Sequence, residues 1–135
     1  MSAASNYAEN LALTWLLTAS SATRPSAWYL ALYTNDPGEA NSGTEVSGTN
    51  YARQNLNVNG SSGAFTVSGN TASNTQTVTF PAAGSGGWGT ISHVAIFDAS
   101  TSGNLLFKGA VTTSKQIDQG DTFQVSSSAL TISLD

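Results

Sequence analysis

Residues 89–98 read Gly-Thr-Ile-Ser-His-Val-Ala-Ile-Phe-Asp, and this run does most to narrow the folds open to the chain. Alternation sets Val94 and Ile96 on one face and Ile91, Ala95 and Phe97 on the other. A strand that is apolar on both faces is covered twice, so it belongs in the middle of a sheet. Three further strands follow in close succession, at 104–111, 121–126 and 129–135. Residues 99–103, Ala-Ser-Thr-Ser-Gly, are a short polar segment of the kind that closes an antiparallel hairpin. Residues 112–120 form a longer polar connection in which Gly120 supplies a positive φ at low steric cost. The last strand alternates Leu130, Ile132 and Leu134 with Thr131, Ser133 and Asp135, one face for the core and one for water.

A chain of 135 residues is long enough for one continuous core, and residues 1–135 are expected to form a single domain. Charged residues are 9% of it, against about 25% in a typical soluble protein. Serine and threonine fill 37 positions, so the surface is neutral and rich in hydroxyls, as suits a protein that persists outside a cell. Four bases against eight acids leave no basic patch to release counterions from phosphates, which argues against nucleic acid as a partner. The lack of cysteine removes disulfides and thiolate metal sites together. No apolar run of about 18 residues is present to span a bilayer, so no membrane partner is expected. The N-terminus has neither the basic region nor the small-residue cleavage site of a secretory signal.

Residues 3–20 are the one convincing helix. Asn6 and Glu9 have capping-box spacing, with Ser2 or Ser5 able to cap a turn earlier. Tyr7, Ala8, Leu11, Ala12, Leu13, Trp15, Leu16 and Leu17 spread over far more than the ~100° stripe of an ordinary amphipathic helix. Such a helix covers one sheet of its own domain, or packs in part against a neighbouring copy. Pro25 lies just beyond it.

Residues 28–33 predict an internal strand, with Trp28, Leu30 and Leu32 alternating against Tyr29, Ala31 and Tyr33. Residues 51–58 predict a peripheral one, weakly apolar on both sides, and 64–67 and 76–80 two short ones separated by a polar loop at 68–74. The longest unpatterned stretch is 34–50, whose Asn35-Asp36-Pro37-Gly38 is a strong turn signal. A loop of that length is usually functional or mobile. Its acids, Asp36, Glu39 and Glu45, fit no calcium-loop spacing and read as solvated. Gly84, Gly86, Gly87 and Gly89 surround Trp88, but a phosphate-binding loop also needs a following helix and usually a lysine, and neither is there.

One helix and about eight strands predict an all-β fold: an antiparallel β-sandwich, jelly-roll-like, with one N-terminal α-helix. The catalytic inventory is thin. His93 is the sole histidine and reads as structural, and the carboxylates fall in turns that need no chemistry to explain them. No catalytic residue, metal ligand or cofactor is expected.

Residues 28–37 (WYLALYTNDP), 45–54 (EVSGTNYARQ), 78–81 (VTFP), 88–98 (WGTISHVAIFD) and 103–107 (GNLLF), after an N-terminal helix, together resemble a family of small tailed-phage virion proteins. Members are often labelled tail-fibre protein, and some resemble head decoration (cement) proteins. The resemblance covers most of the chain and implies a non-enzymatic building block of a virus particle, assembled in the cytoplasm of the bacterial host. It supplies no site residues to carry over.

Within that reading a capsid cement protein is favoured over a tail-fibre or receptor-binding module, because the domain fills the sequence and leaves no shaft. A cement protein commonly sits in the lattice as a trimer, so a homotrimer in contact with the major capsid protein or other virion proteins is expected. A carbohydrate-binding sandwich is the outside alternative, resting on Trp88, Tyr33 and Tyr51 if they are exposed. The residues expected at an interface are Tyr7, Leu11 and Trp15 of the helix, Asp36, Glu39 and Glu45 of the long loop, and Trp88.

Overall fold

A computed structural model describes residues 2–57 and 63–134. Val58 and Asp135, the ends of two predicted strands, lie outside the described residues. In chain order the elements are β1 (Ser2–Ala4), α1 (Asn6–Leu17), β2 (Tyr29–Tyr33), β3 (Gln54–Asn55), β4 (Phe65–Ser68), β5 (Thr71–Asn74), β6 (Val78–Thr79), β7 (Gly89–Phe97), β8 (Leu105–Ile117), β9 (Gln124–Val125) and β10 (Thr131–Ser133). Five strands form one antiparallel sheet in the order β1-β8-β7-β2-β3. A three-stranded sheet, β10-β5-β4, and a two-stranded one, β6-β9, complete an all-β sandwich with one N-terminal helix.

The two-faced strands are where the sequence puts them. Strand β7 lies between β8 and β2, and β2 between β7 and β3. Leu30, Leu32, Val94 and Ile96 face the main core, which they share with Ile117 of the same sheet and with Phe80, Trp88, Phe123 and Ile132. Ala31, Tyr33, Ala95, Phe97 and Leu105 form a second, smaller core on the opposite face. Ile91 departs from simple alternation and joins the main core. The cause is an irregularity in the β7–β8 ladder, where Ile91 pairs with Lys115 but His93 pairs with Ala110. A bulge reverses the side-chain parity beyond it.

The helix is shorter than the predicted 3–20. Ser5 is its N-cap, accepting from the Ala8 N–H at 3.1 Å, and donates its own hydroxyl to the Leu105 carbonyl. Residues 2–4 therefore leave the helix and pair with β8 as an edge strand. At the other end Thr18 is extended and bonds back to the Thr14 carbonyl through both its N–H and its hydroxyl, while Ser20 donates to Thr18 Oγ1. This hydroxyl-led turn outcompetes further helix.

Two polar stretches turn out to be strand. The predicted 112–120 connection shrinks because β8 runs on to Ile117, and the predicted 68–74 loop is a tight β4–β5 hairpin turning at Gly69-Asn70. Threonine has strand propensity without contributing an apolar period. The predicted 51–58 strand shrinks to the edge pair Gln54–Asn55, and Leu134 of the last strand is exposed rather than core-facing.

Residues 34–50 form an ordered excursion that returns beside its start, with Tyr33 bridged to Glu45. Asn35 Oδ1 accepts from the Thr44 N–H at 2.6 Å, and the Pro37 carbonyl accepts from Ser42 and Gly43. Pro37 is fully buried and Val46 nearly so. The Tyr33 hydroxyl donates to Asn41 Oδ1 at 2.6 Å, which holds this segment against the smaller core.

Candidate functional site

A helix that covers a sheet of its own domain buries one side, yet none of the residues of α1 is buried. Leu13, Trp15, Leu16 and Leu17 are 58%, 69%, 67% and 75% exposed, and Tyr7 is 39%. Helical spacing puts Glu9, Leu13, Leu16 and Leu17 on one outward ridge, at i, i+4, i+7 and i+8. The other side of the helix faces the domain without closing on it. A groove of about 340 Å³ lies there, lined by Leu11 and Trp15 of α1, by Arg24 and Trp28 of the following segment, and by Leu106 and Phe107 of β8. A large exposed apolar area on a small domain marks an interaction surface.

Leu11 and Trp15 therefore line the same groove, and Tyr7 lies one turn before Leu11 on the same stripe of the helix. The loop acids are placed differently. Asp36 accepts from Lys108 Nζ at 2.8 Å and from the Gly38 N–H, and the lysine hydrogen bond holds its carboxyl below the usual carboxylate range. Glu45 pairs with Arg53, whose Nε lies 3.0 and 2.9 Å from the two carboxylate oxygens. Glu39 is exposed, and its carbonyl accepts from the Asn6 N–H at the start of the helix. These loop acids tie the excursion to the sheet and the helix.

Trp88, expected at an interface, is instead buried, and its side chain is not available at a surface. Its ring packs edge-on against Tyr51 at 5.5 Å and Phe80 at 6.2 Å, and its Nε1 donates to the Thr49 carbonyl at 2.9 Å. Tyr33 is likewise buried and stacks on Phe97, while the Tyr51 hydroxyl accepts from the Leu32 N–H. Burial pushes the Tyr33 hydroxyl up to about 12, and Tyr51 also rises. The three aromatics that could have formed a sugar-stacking platform are core and framework residues instead.

His93 sits in β7 across from Tyr33 and Ala110, with Nδ1 2.9 Å from the Ser92 hydroxyl of its own strand. No group of three or more potential metal ligands occurs among the described residues. Sequence reasoning missed Arg24, which lines the helix groove, and Arg53, which joins the long loop to the β7–β8 turn. An isolated base in a charge-poor chain is the only signal that could have picked out either.

No curated protein matches the chain. From residue 3 to residue 133 the sequence matches the family described as podophage GP4 fiber I protein gp80, and the chain belongs to that family of phage virion structural proteins.

Proposed function

We propose that the protein is a non-enzymatic structural component of a tailed-phage particle, built into a fibre and held there through its N-terminal helix. The observation that carries this reading is the helix itself, which buries none of its residues within the chain and exposes three leucines and a tryptophan. A virion subunit has a use for such a surface, since it is covered on assembly. The family description names a fibre protein, which favours the fibre over the capsid-decoration role expected from the sequence. The polar groups support a structural role too. Asp36 and Glu45 are paired with bases, Asp98 accepts from the backbone and side chain of Asn104, and Asp121 accepts from the Asp118 N–H.

Electron cryo-microscopy of intact particles tests the placement. Density for this sandwich in a fibre is expected, and density on the shell would assign it to head decoration. His93→Ala is expected to leave particle assembly unchanged, and a hydrolytic activity lost in that variant would overturn the non-enzymatic reading.

A further inference from the structure

The first 35 residues contain one acid, Glu9, and one base, Arg24. Both are exposed, and neither takes part in an ion pair among the described residues. Glu9 stands at the head of the Leu13–Leu16–Leu17 ridge, whereas Arg24 lines the groove on the other side of the same helix. The chain thus carries an apolar ridge ending in an anion and, separately, an apolar groove edged by a cation. From this we infer that the occupant of the groove is a second copy of this chain, its Leu13–Leu16–Leu17 ridge seated between Trp15, Trp28 and Phe107, with its Glu9 facing Arg24.

Size and charge favour this occupant. The exposed parts of the three ridge leucines amount to on the order of 350 Å² of apolar surface on one partner, a substantial share of the ~800 Å² per partner of a standard interface, and the exposed Trp15 ring adds apolar surface on the other. Across so sparsely charged a surface, a single opposite-charge pair sets register more than it adds affinity. The ridge and the groove lie on opposite sides of the helix, so one partner cannot both fill the groove and receive the ridge, and the contact is heterologous and propagates from copy to copy until it closes. A two-copy assembly cannot satisfy it, and three copies make the smallest closed ring. The inference concerns how copies meet and does not depend on where in the particle they sit.

The absence of cysteine makes a cross-linking test clean. Full-length chains carrying only Glu9→Cys are mixed with chains carrying only Arg24→Cys and oxidised, both free in concentrated solution and in particles. The mixed disulfide should dominate over either like-with-like product. In light scattering, Glu9→Arg or Arg24→Glu alone should weaken self-association roughly 10-fold, and the two together should restore it to within about 3-fold. Leu16→Asp should weaken it roughly 100-fold while leaving the melting temperature of the separated chain unchanged, because Leu16 is 67% exposed. Dominant like-with-like disulfides, a dimer that grows no further, or single copies with no mixed disulfide in solution or in particles would each overturn the inference. A capsid location with the mixed disulfide intact would remove the fibre reading alone.

Discussion

The guanidinium of Arg53 lies 3.7 Å from the centroid of the buried Phe97 ring, so the smaller core is capped by a cation rather than by another apolar layer. The same side chain pairs with Glu45 through Nε and donates from Nη1 to the carbonyls of Ala99 and Ser102 at 3.0 and 2.8 Å. It therefore fastens together β7, the long loop and the turn between β7 and β8. Only the planar fork of arginine can serve a carboxylate, two carbonyls and a ring face at once.

Arg53→Ala leaves the Glu45 carboxylate without its base and bares Phe97. With the Arg53 side chain only 9% exposed, the cost should be about 3 kcal/mol in urea unfolding. Arg53→Lys should recover only part of this, since an ammonium cannot span all four contacts. An Arg53→Ala chain within 0.5 kcal/mol of wild type, on the scale of an ordinary surface change, would show that the cap is ornamental.

The glycine-rich turn before β7 permits a sharper comparison. Gly87 has φ +67° and a Cβ there would sit 2.6 Å from the Ile117 carbonyl oxygen, while Gly86 has φ +88° and open space around it. Gly86→Ala should cost about 1 kcal/mol, the left-handed backbone term alone. Gly87→Ala adds a clash with backbone and should cost at least twice that. Equal melting temperatures for the two variants would mean that the turn adjusts freely.

Residues 37–43 offer a third test. Shortening the long loop looks harmless if the loop is read as an unpatterned tether. The observed excursion is part of the fold, with Pro37 fully buried and Asn41 bonded to Tyr33. Excising 37–43 should lower stability by about 2 kcal/mol or more, from the buried ring and the lost hydrogen bonds. A truncated chain with wild-type unfolding behaviour would return the segment to the status of a tether.

What could be read from the sequence follows from where apolar period exists. Strands β2 and β7 carry it on both faces, and their central position and two cores follow directly. Strand β5, Thr-Ala-Ser-Asn, and the Thr-Thr-Ser stretch of β8 carry almost none, so their pairing is fixed by neighbours and turns instead. Simple alternation puts Ile91 on the wrong face because a bulge leaves no mark in the residue types. The helix is apolar nearly all round, which leaves its buried side undefined in the sequence, and the chain covers only the side of Ala8 and Leu11, and that by half. Trp88 sits among glycines that suggest a loop tip, yet Gly48 lets its ring close in: a Cβ there would lie 2.5 Å from Trp88 Cδ1. That close approach is a tertiary fact.

The last prediction concerns alkaline pH. Burial, with the Glu45 carboxylate adding to it, pushes the Tyr33 hydroxyl from an ordinary 10.0 up to about 12. Below pH 10 the group is protonated in both the folded and the unfolded chain, so it gives no pH dependence. Between about 10 and 12 the unfolded chain releases the proton and the folded chain keeps it, so stability falls as pH rises through this window. The slope approaches about 1.4 kcal/mol per pH unit for this group, on the order of 2 to 3 kcal/mol across the window. Tyr51, also raised by burial, steepens the fall. Tyr33→Phe should lose about 1 kcal/mol at neutral pH with the hydrogen bond to Asn41, but its stability should decline less steeply above pH 10. Urea unfolding at stepped alkaline pH, read beside tyrosinate absorbance of the folded chain, checks both signs. If Tyr33 ionises in the folded chain near its ordinary value, the ring is not sealed by the long loop, and the smaller core is open to water.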